Sequence, residues 1–333
     1  MGRRVNRLWL AWGVGLVAAL GLLYYARDAR GRDVYAYQIT PDPAGCPSAT
    51  HTLAVIGDYG NGSDAAAGVA SLVHSWSPDW VVTTGDNNYP TGSPDTIDAN
   101  IGRFYGDYIF PYLGEYGPGA TSRRFYPALG NHDLDWDGGR PYFDYFTLPG
   151  NERYYTVRRW PVQLYVLNSD WREPDGIHET SAQAAWLRER LAASDAPWKL
   201  VVLHQPPFTS SLHRDPALHL QWPFAEWGAS AVLAGHDHFY ERLESDGIPY
   251  FVNGAGGAGI YAIGTPEPQS LVRYNRAYGA LRIDAGAACI HYRFYSAAGE
   301  LIDSLTAVRE VPEVRPSILA GSPCWRGRCP RSR

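Results

Sequence analysis

The chain has 333 residues, 14% of them aromatic, with 29 Lys and Arg against 34 Asp and Glu and a formal net charge of −5. That length allows one large α/β domain or two small ones, and the aromatic and glycine content disfavours disorder except at the ends. The body of the chain lacks a basic tract, so no nucleic-acid scaffold binding is expected, since grip on a phosphate backbone relies on clustered Lys and Arg.

Residues 1–26 read as a membrane anchor or signal segment. Arg3, Arg4 and Arg7 precede the uncharged run LWLAWGVGLVAALGLLYY, Leu8 to Tyr25. This run is at the lower limit for a bilayer-spanning helix, with Trp9, Trp12, Tyr24 and Tyr25 as interfacial anchors near its ends. No convincing A-x-A cleavage site follows, which favours an uncleaved membrane segment through residues 8–25 over a cleaved signal peptide. The folded part is then expected outside the cytoplasm, membrane-anchored, or secreted or periplasmic if cleavage occurs. Arg27, Arg30 and Arg32 balance the upstream arginines, so flanking charge does not set the orientation.

Residues 27–48 read as a linker broken by Pro41, Pro43, Gly45 and Pro47, residues 49–308 as one catalytic-sized domain, and residues 309–333 as a Pro- and Arg-rich tail. The four cysteines are Cys46, Cys289, Cys324 and Cys329. An even count behind an export signal suggests disulfides, Cys46 with Cys289 and Cys324 with Cys329; four free thiols in a cytosolic protein is the alternative.

Within the domain, TLAVIG (52–57), WVVTTG (80–85), RFYPALG (124–130), LYVLNS (164–169), KLVVLH (199–204) and SAVLAG (230–235) are short apolar runs, as for strands covered on both faces. Helices are expected at 64–76 and 181–194, the second N-capped by Ser181 with Trp186, Leu187 and Leu191 as its apolar stripe. The alternation argues for an α/β sandwich. The later runs IPYFVNGAG, GALRID and ACIHYRFYS are expected as hairpin strands completing a second sheet.

Polar residues fall at the ends of these runs. Asp58 follows the first, Asp86 the second, Asn131 and His132 the third, and Asp170 the fourth; His204 ends the fifth, and His236 and His238 follow the sixth. Each singly reads as a turn residue, a cap or a buried core histidine. Together they should converge, because open α/β sheets bind ligands beyond the carboxyl ends of their strands. Asp, Asn and imidazole donors without thiolate suit Fe, Mn or Zn. His236-Asp237-His238 would point its imidazoles to opposite faces of a strand, but a tight loop after Gly235 lets them serve neighbouring ions.

In this order, GDYG (57–60), GDNNY (85–89), GNHD (130–133), VVLHQPP (201–207) and GHDHFYER (235–242) resemble the calcineurin-like metallophosphoesterase superfamily, and within it the purple acid phosphatase-like branch. The likeness runs from about His51 to Ser296. It implies a four-layer α/β/β/α metallophosphoesterase sandwich with two mixed β-sheets and a dinuclear site at its edge. One ion, Fe(III), would be held by Asp58, Asp86, Tyr89 and His238; the other, Fe(II), Zn(II) or Mn(II), by Asp86, Asn131, His204 and His236, with Asp86 as the bridge. VNGAGG (252–257) is similar to the family's glycine-rich turn. GDxxY marks the purple branch: a tyrosine, with its ordinary pKa about 10, gives up its proton only to a strong Lewis acid. The alternative is that Tyr89 packs over the site uncoordinated.

The implied activity is that of an acid phosphatase-like phosphomonoesterase, in which a metal-bound hydroxide attacks a phosphate ester; metal binding lowers the pKa of water from 15.7 toward about 7. His132 is similar to the family's substrate-binding acid. His213, in TSSLHRDP, matches a second substrate-facing histidine less closely, because Arg214 replaces the usual glycine; surface histidine is the plainer reading. A phosphodiesterase or nucleotide hydrolase on the same site, and a catalytically silent metal-binding surface protein, are the rival functions. DLDWDGGRPYFD (133–144) imitates a calcium loop, but Asp144 replaces the bidentate Glu, Arg140 takes the usual apolar position, and no flanking helix is evident. Asp170 reads as a loop-fixing residue, and Cys324-WRGR-Cys329 lacks companion zinc ligands. The sequence is silent on oligomeric state.

Overall fold

Short β-branched and aromatic runs become strands here because both of their faces find apolar cover. The computed structural model describes residues 36–38, 46–213 and 216–309. Two seven-stranded mixed sheets lie within them. The first runs in the order β1 (Ala36–Gln38), β14 (Leu301–Val308), β13 (Cys289–Ser296), β12 (Gly279–Ala285), β2 (His51–Ile56), β3 (Trp80–Thr83), β4 (Phe125–Pro127). The second runs β11 (Ser270–Tyr274), β9 (Tyr240–Ser245), β10 (Ile248–Asn253), β8 (Ala231–Ala234), β7 (Trp198–Val202), β6 (Val162–Val166), β5 (Tyr155–Arg159).

The six apolar runs are thus shared between the sheets. β2, β3 and β4 are parallel in the first, and β6, β7 and β8 are parallel in the second. GALRID and ACIHYRFYS, expected in the second sheet, instead form β12 and β13 beside β2 in the first, with Leu281 opposite Val55 and Ile283 opposite Leu53. β2 offers two edges; β3 takes one in parallel and β12 the other antiparallel, and an apolar pattern does not say which sheet it will join. Residues 36–38, expected as linker, pair as β1 with the outer edge of β14.

Strand alternation assigns the layers. In the second sheet Leu164, Val166, Leu200, Val202, Leu233 and Phe251 join Leu53, Val55 and Val82 in the core between the sheets. Their neighbours Tyr165, Val201, Leu203, Val232 and Val252 share a separate core with Leu187 and Leu191 of the helix Ala182–Ala192. The Ser181 hydroxyl accepts from Ala184 N at 3.1 Å, as the sequence leads one to expect. On the first sheet, the helix Asp64–Ser75 starts at Ser63, whose hydroxyl accepts from Ala66 N at 3.2 Å, and buries Val69, Ala70 and Val73. Helix, sheet, sheet and helix give the four-layer α/β/β/α sandwich.

A disulfide joins Cys46 to Cys289, with Cα atoms 5.7 Å apart, beneath the amino ends of the parallel strands. At that end Trp198 Nε1 donates to Gly286 O at 2.6 Å and Arg309 to Pro197 O at 2.9 Å, tying the sheets together. The apolar run 8–25, Cys324, Cys329 and the tail from residue 310 lie outside the described residues. Among the described residues no helix is long and apolar enough to cross a membrane.

Candidate metal centre

The candidate ligands sit at the opposite end, on loops leaving β2, β3, β4, β7 and β8. Three of them adopt left-handed backbone: Asp58 at φ 56°, Asp86 at φ 52° and His236 at φ 70°. Non-glycine residues seldom do so, and Asp pays less than most because its short side chain bonds locally. Gly85, at φ 98°, admits the adjacent histidine: a Cβ there would fall 2.5 Å from His204 Nδ1.

Each carboxylate spends one oxygen on the backbone and turns the other into the cleft. Asp58 Oδ2 accepts from His236 N at 2.8 Å, and Asp86 Oδ1 from His132 N at 3.0 Å. The remaining oxygens then meet other acceptors. Tyr89 Oη lies 3.0 Å from Asp86 Oδ2, 3.3 Å from Asp58 Oδ1 and 3.2 Å from His238 Nε2. One phenol proton serves one of those three.

The imidazoles are fixed by carbonyl groups, which only accept. His204 Nδ1 therefore donates to Thr84 O at 2.8 Å, and His238 Nδ1 to Gly259 O at 2.8 Å. In the neutral rings both Nε2 lone pairs then face the cluster. His204 Nε2 stands 3.2 Å from Asn131 Oδ1, 3.4 Å from Asp86 Oδ2 and 3.0 Å from His236 Nδ1. Asp86, His204 and His236 offer donor atoms within 4.8 Å of one another. Asp86 Oδ2 belongs to both groups of atoms.

The titration behaviour follows from this crowding. Burial opposes ionisation of Asp86, but His204 and then His132 hold its carboxyl below the usual range. His204 is pushed up to about 9 by Asp86, although burial works the other way. Burial, then the Asp58 and Asp86 charges, raises Tyr89 far above an ordinary phenol. Lone pairs aimed at one another in a buried cleft repel unless a proton or cation lies among them. Oxygen and imidazole donors without sulfur, shared about one carboxylate oxygen, fit two first-row metal ions.

The structure brings Asp58, Asp86, Tyr89, Asn131, His204, His236 and His238 to one cleft. His132 lies at its rim, its side chain 31% exposed, Nδ1 donating to Pro90 O at 2.5 Å and Nε2 3.9 Å from Asp86 Oδ2. His213 is placed two rings away: it meets Tyr261 edge-on at 5.2 Å, and Tyr261 stacks on His238 at 4.0 Å. Tyr261 is a neighbour of the site that the sequence did not flag, since it belongs to no motif. VNGAGG braces the Asp58 loop, Gly256 N donating to Gly57 O at 3.0 Å.

The acidic loop departs from expectation in one respect. Short helices, Asn131–Leu134 and Arg140–Tyr145, do lie within or beside it. Its first carboxylate is nonetheless turned inward: Asp133 accepts from Gly130 N at 2.8 Å and from the backbone of Asn87 and Asn88 at 3.0 and 3.1 Å. Asp170 orients Arg172, whose guanidinium reaches Asn131 O at 2.9 Å and so buttresses the ligand loop from behind.

Residues 51–240, more than half of the chain, match the calcineurin-like phosphoesterase family, and the chain belongs to it. Curated proteins that it resembles include acid phosphatases, some of them named as purple acid phosphatases. Tartrate-resistant acid phosphatase type 5 of Mus musculus is 25% identical over 246 residues, 63% of this chain and 73% of that protein. Fe(3+)-Zn(2+) purple acid phosphatase 12 of Arabidopsis thaliana is 24% identical over 66% of this chain and 49% of its own length. The purple acid phosphatase PPD1 from yellow lupin (Lupinus luteus) seeds superposes with a TM-score of 0.60 at 18% identity, over 77% of this chain and 53% of the lupin chain. The chain spans about half the length of these plant proteins.

Proposed function

We propose that the protein is a dinuclear metal-dependent phosphomonoesterase of the acid phosphatase type. The observation that carries this reading is the set of buried acceptors facing one another about Asp86 Oδ2. Asp58, Asp86, Tyr89 and His238 would hold one ion, iron(III) in view of the phenol, and Asp86, Asn131, His204 and His236 a divalent partner. The resemblance to a relative named for Fe(3+) and Zn(2+) supports that division. The ions would supply neutralisation of the phosphate dianion and activation of water at acid pH.

The chain's own residues supply the rest. The Thr84 and Gly259 carbonyls keep the His204 and His238 Nε2 atoms turned to the cleft. Arg172 fixes the loop carrying Asn131. His132 anchors Nδ1 on Pro90 O, which leaves Nε2 to hold the proton that the leaving alkoxide needs. The His213–Tyr261 pair forms the far wall, where it would contact the substrate's organic group. We place the protein at a membrane through residues 8–25, with this domain outside the cytoplasm.

The purified full chain should turn over p-nitrophenyl phosphate faster than its bis-ester, best in acid, and lose activity on chelation. It should carry a visible charge-transfer band that Tyr89→Phe abolishes. Full activity in a colourless protein would refute the phenolate assignment but spare the phosphatase; no turnover with both metals bound would refute the phosphatase.

A further inference from the structure

β4 and β5 are the outermost strands of their sheets, and a cavity of about 520 Å³ opens between them on the flank of the sandwich. Arg123, Arg158 and Arg159 line it with Thr121 and Ser122, and no carboxylate does; Thr156 also lines it, but its hydroxyl already donates to Leu164 O at 2.8 Å. This is a local excess of positive charge in a chain whose net charge is −5. Arg158 pairs across the rim with Asp195 at 2.5 Å, and the Arg159 guanidinium lies 5.4 Å from the Trp80 ring centre. Phe110, 42% exposed, is part of the lining, and Trp160, 52% exposed, follows Arg159 with its ring centre 5.8 Å from the Arg158 guanidinium. Guanidinium and hydroxyl donors in a carboxylate-free hollow are the chemistry that holds phosphate oxygens.

The cavity belongs to the amino-end half of the sandwich, away from the metal cleft. Arg123 immediately precedes the start of β4, and Arg159 ends β5 beside the start of β6, whereas the candidate ligands follow the carboxyl ends. The chain enters at that same end. Ala36 pairs with Val308, Val308 with Cys289, and Cys289 is bound to Cys46. Ten residues, Ala26 to Tyr35, separate the apolar run from Ala36, a reach of at most about 35 Å. β1 and β4 are opposite edges of the first sheet, six strand spacings or about 29 Å apart, so a tether of that reach lets a bilayer holding residues 8–25 meet the amino end at this flank.

We propose that this flank docks on an anionic lipid surface, Arg123 and Arg159 binding phosphorylated headgroups while Trp160 and Phe110 enter the interface. Aromatic rings at headgroup depth and basic side chains near an anionic leaflet are the two usual contributors to such contact. The proposal rests on the membrane reading of residues 8–25 for its orientation, and is independent of the phosphatase reading.

The test uses the full chain in lipid nanodiscs of phosphatidylcholine, with or without phosphatidylglycerol, followed by hydrogen–deuterium exchange. Amides at 109–124 and 155–161 should exchange several-fold more slowly on anionic than on neutral discs. Each basic residue near such a surface contributes about fivefold in binding, so Arg123→Gln with Arg159→Gln should weaken the contact about 25-fold and erase the protection. High salt should do the same by screening. An unchanged circular dichroism spectrum and Tm for the double variant would show that it is folded. Equal exchange on the two lipids overturns the proposal, as does equal protection by inorganic phosphate on neutral discs, which would mark a soluble-anion site. Failure to co-elute with neutral discs while anionic discs still capture the chain would refute the anchor and uphold the docking face. Failure with both would overturn the docking face too.

Discussion

At the carboxyl ends of β2, β3, β4, β7 and β8, carboxylate, amide and imidazole atoms face one another across 3.0–3.4 Å, three of the residues on left-handed backbone. At the amino ends of the same strands, donors meet acceptors. Arg124 donates to the Pro78 and Asp79 carbonyls at 2.5 and 3.0 Å, and Trp198 and Arg309 link the sheets through backbone carbonyls. A disulfide closes that end. The contrast shows how one scaffold divides its tasks: stability is stored at one end so that the other can hold groups in an arrangement that stabilises something other than the fold.

Substitutions should therefore separate activity from stability according to the end they touch. The largest effect is expected for Asn131→Ala or His204→Ala, each lowering turnover at least about 10²-fold, as removal of an electrostatic stabiliser does, with a matching loss of bound metal. Steady-state kinetics and elemental analysis read both; intact turnover in either variant would overturn the site. His132→Ala should cost about 10²–10⁴-fold in kcat with an alkyl phosphate and much less with p-nitrophenyl phosphate, whose leaving group needs no proton. An equal loss on both substrates would mean that His132 binds phosphate and does not protonate the leaving group.

The amino end should behave in the opposite way. Cys46→Ser with Cys289→Ser opens a linkage between residues 243 apart in sequence and should cost about 2–5 kcal/mol, seen as a lower Tm, with kcat per folded molecule retained. A fall in kcat at unchanged Tm would break the comparison. The smallest effect concerns Asp284, beside β2. Burial opposes its ionisation, but bonds from Arg282 and Thr52 hold its pKa below the ordinary value. A depressed folded pKa contributes stability above the unfolded value of about 4 and loses it as pH falls toward the folded one. Asp284→Asn should thus be less stable than the parent near neutrality, by under about 1 kcal/mol after solvent screening, and the gap should close in acid. Denaturant melts at neutral pH and at pH 3 would check this; a gap that widens in acid would contradict it.

Much of the site was legible because its ligands carry distinctive side chains at strand ends. GDYG, GDNNY, GNHD and GHDH each advertise a donor after an apolar run, and the fold delivers them to one cleft. What stayed illegible is carried by backbone atoms or by residues outside motifs. The Thr84 and Gly259 carbonyls decide which imidazole nitrogen faces the cleft, yet any residue supplies a carbonyl. Tyr261 stacks on His238 from a segment with no pattern of its own. Asp133 stands among acidic neighbours like a calcium ligand, and its inward turn follows from N–H groups of Asn87 and Asn88 that lie 45 or more residues away. Sheet membership was ambiguous for a similar reason: β12 and β13 are apolar enough for either sheet, and the unpaired edge of β2 claimed them.

The account stands on Asp86 being shared between two ions. Anomalous difference maps from crystals grown with metal measure this most directly. Two peaks are predicted, one on the Asp58, Tyr89 and His238 side of the Asp86 carboxylate and one on the Asn131, His204 and His236 side. A single peak, or none in the cleft of an active preparation, would contradict it.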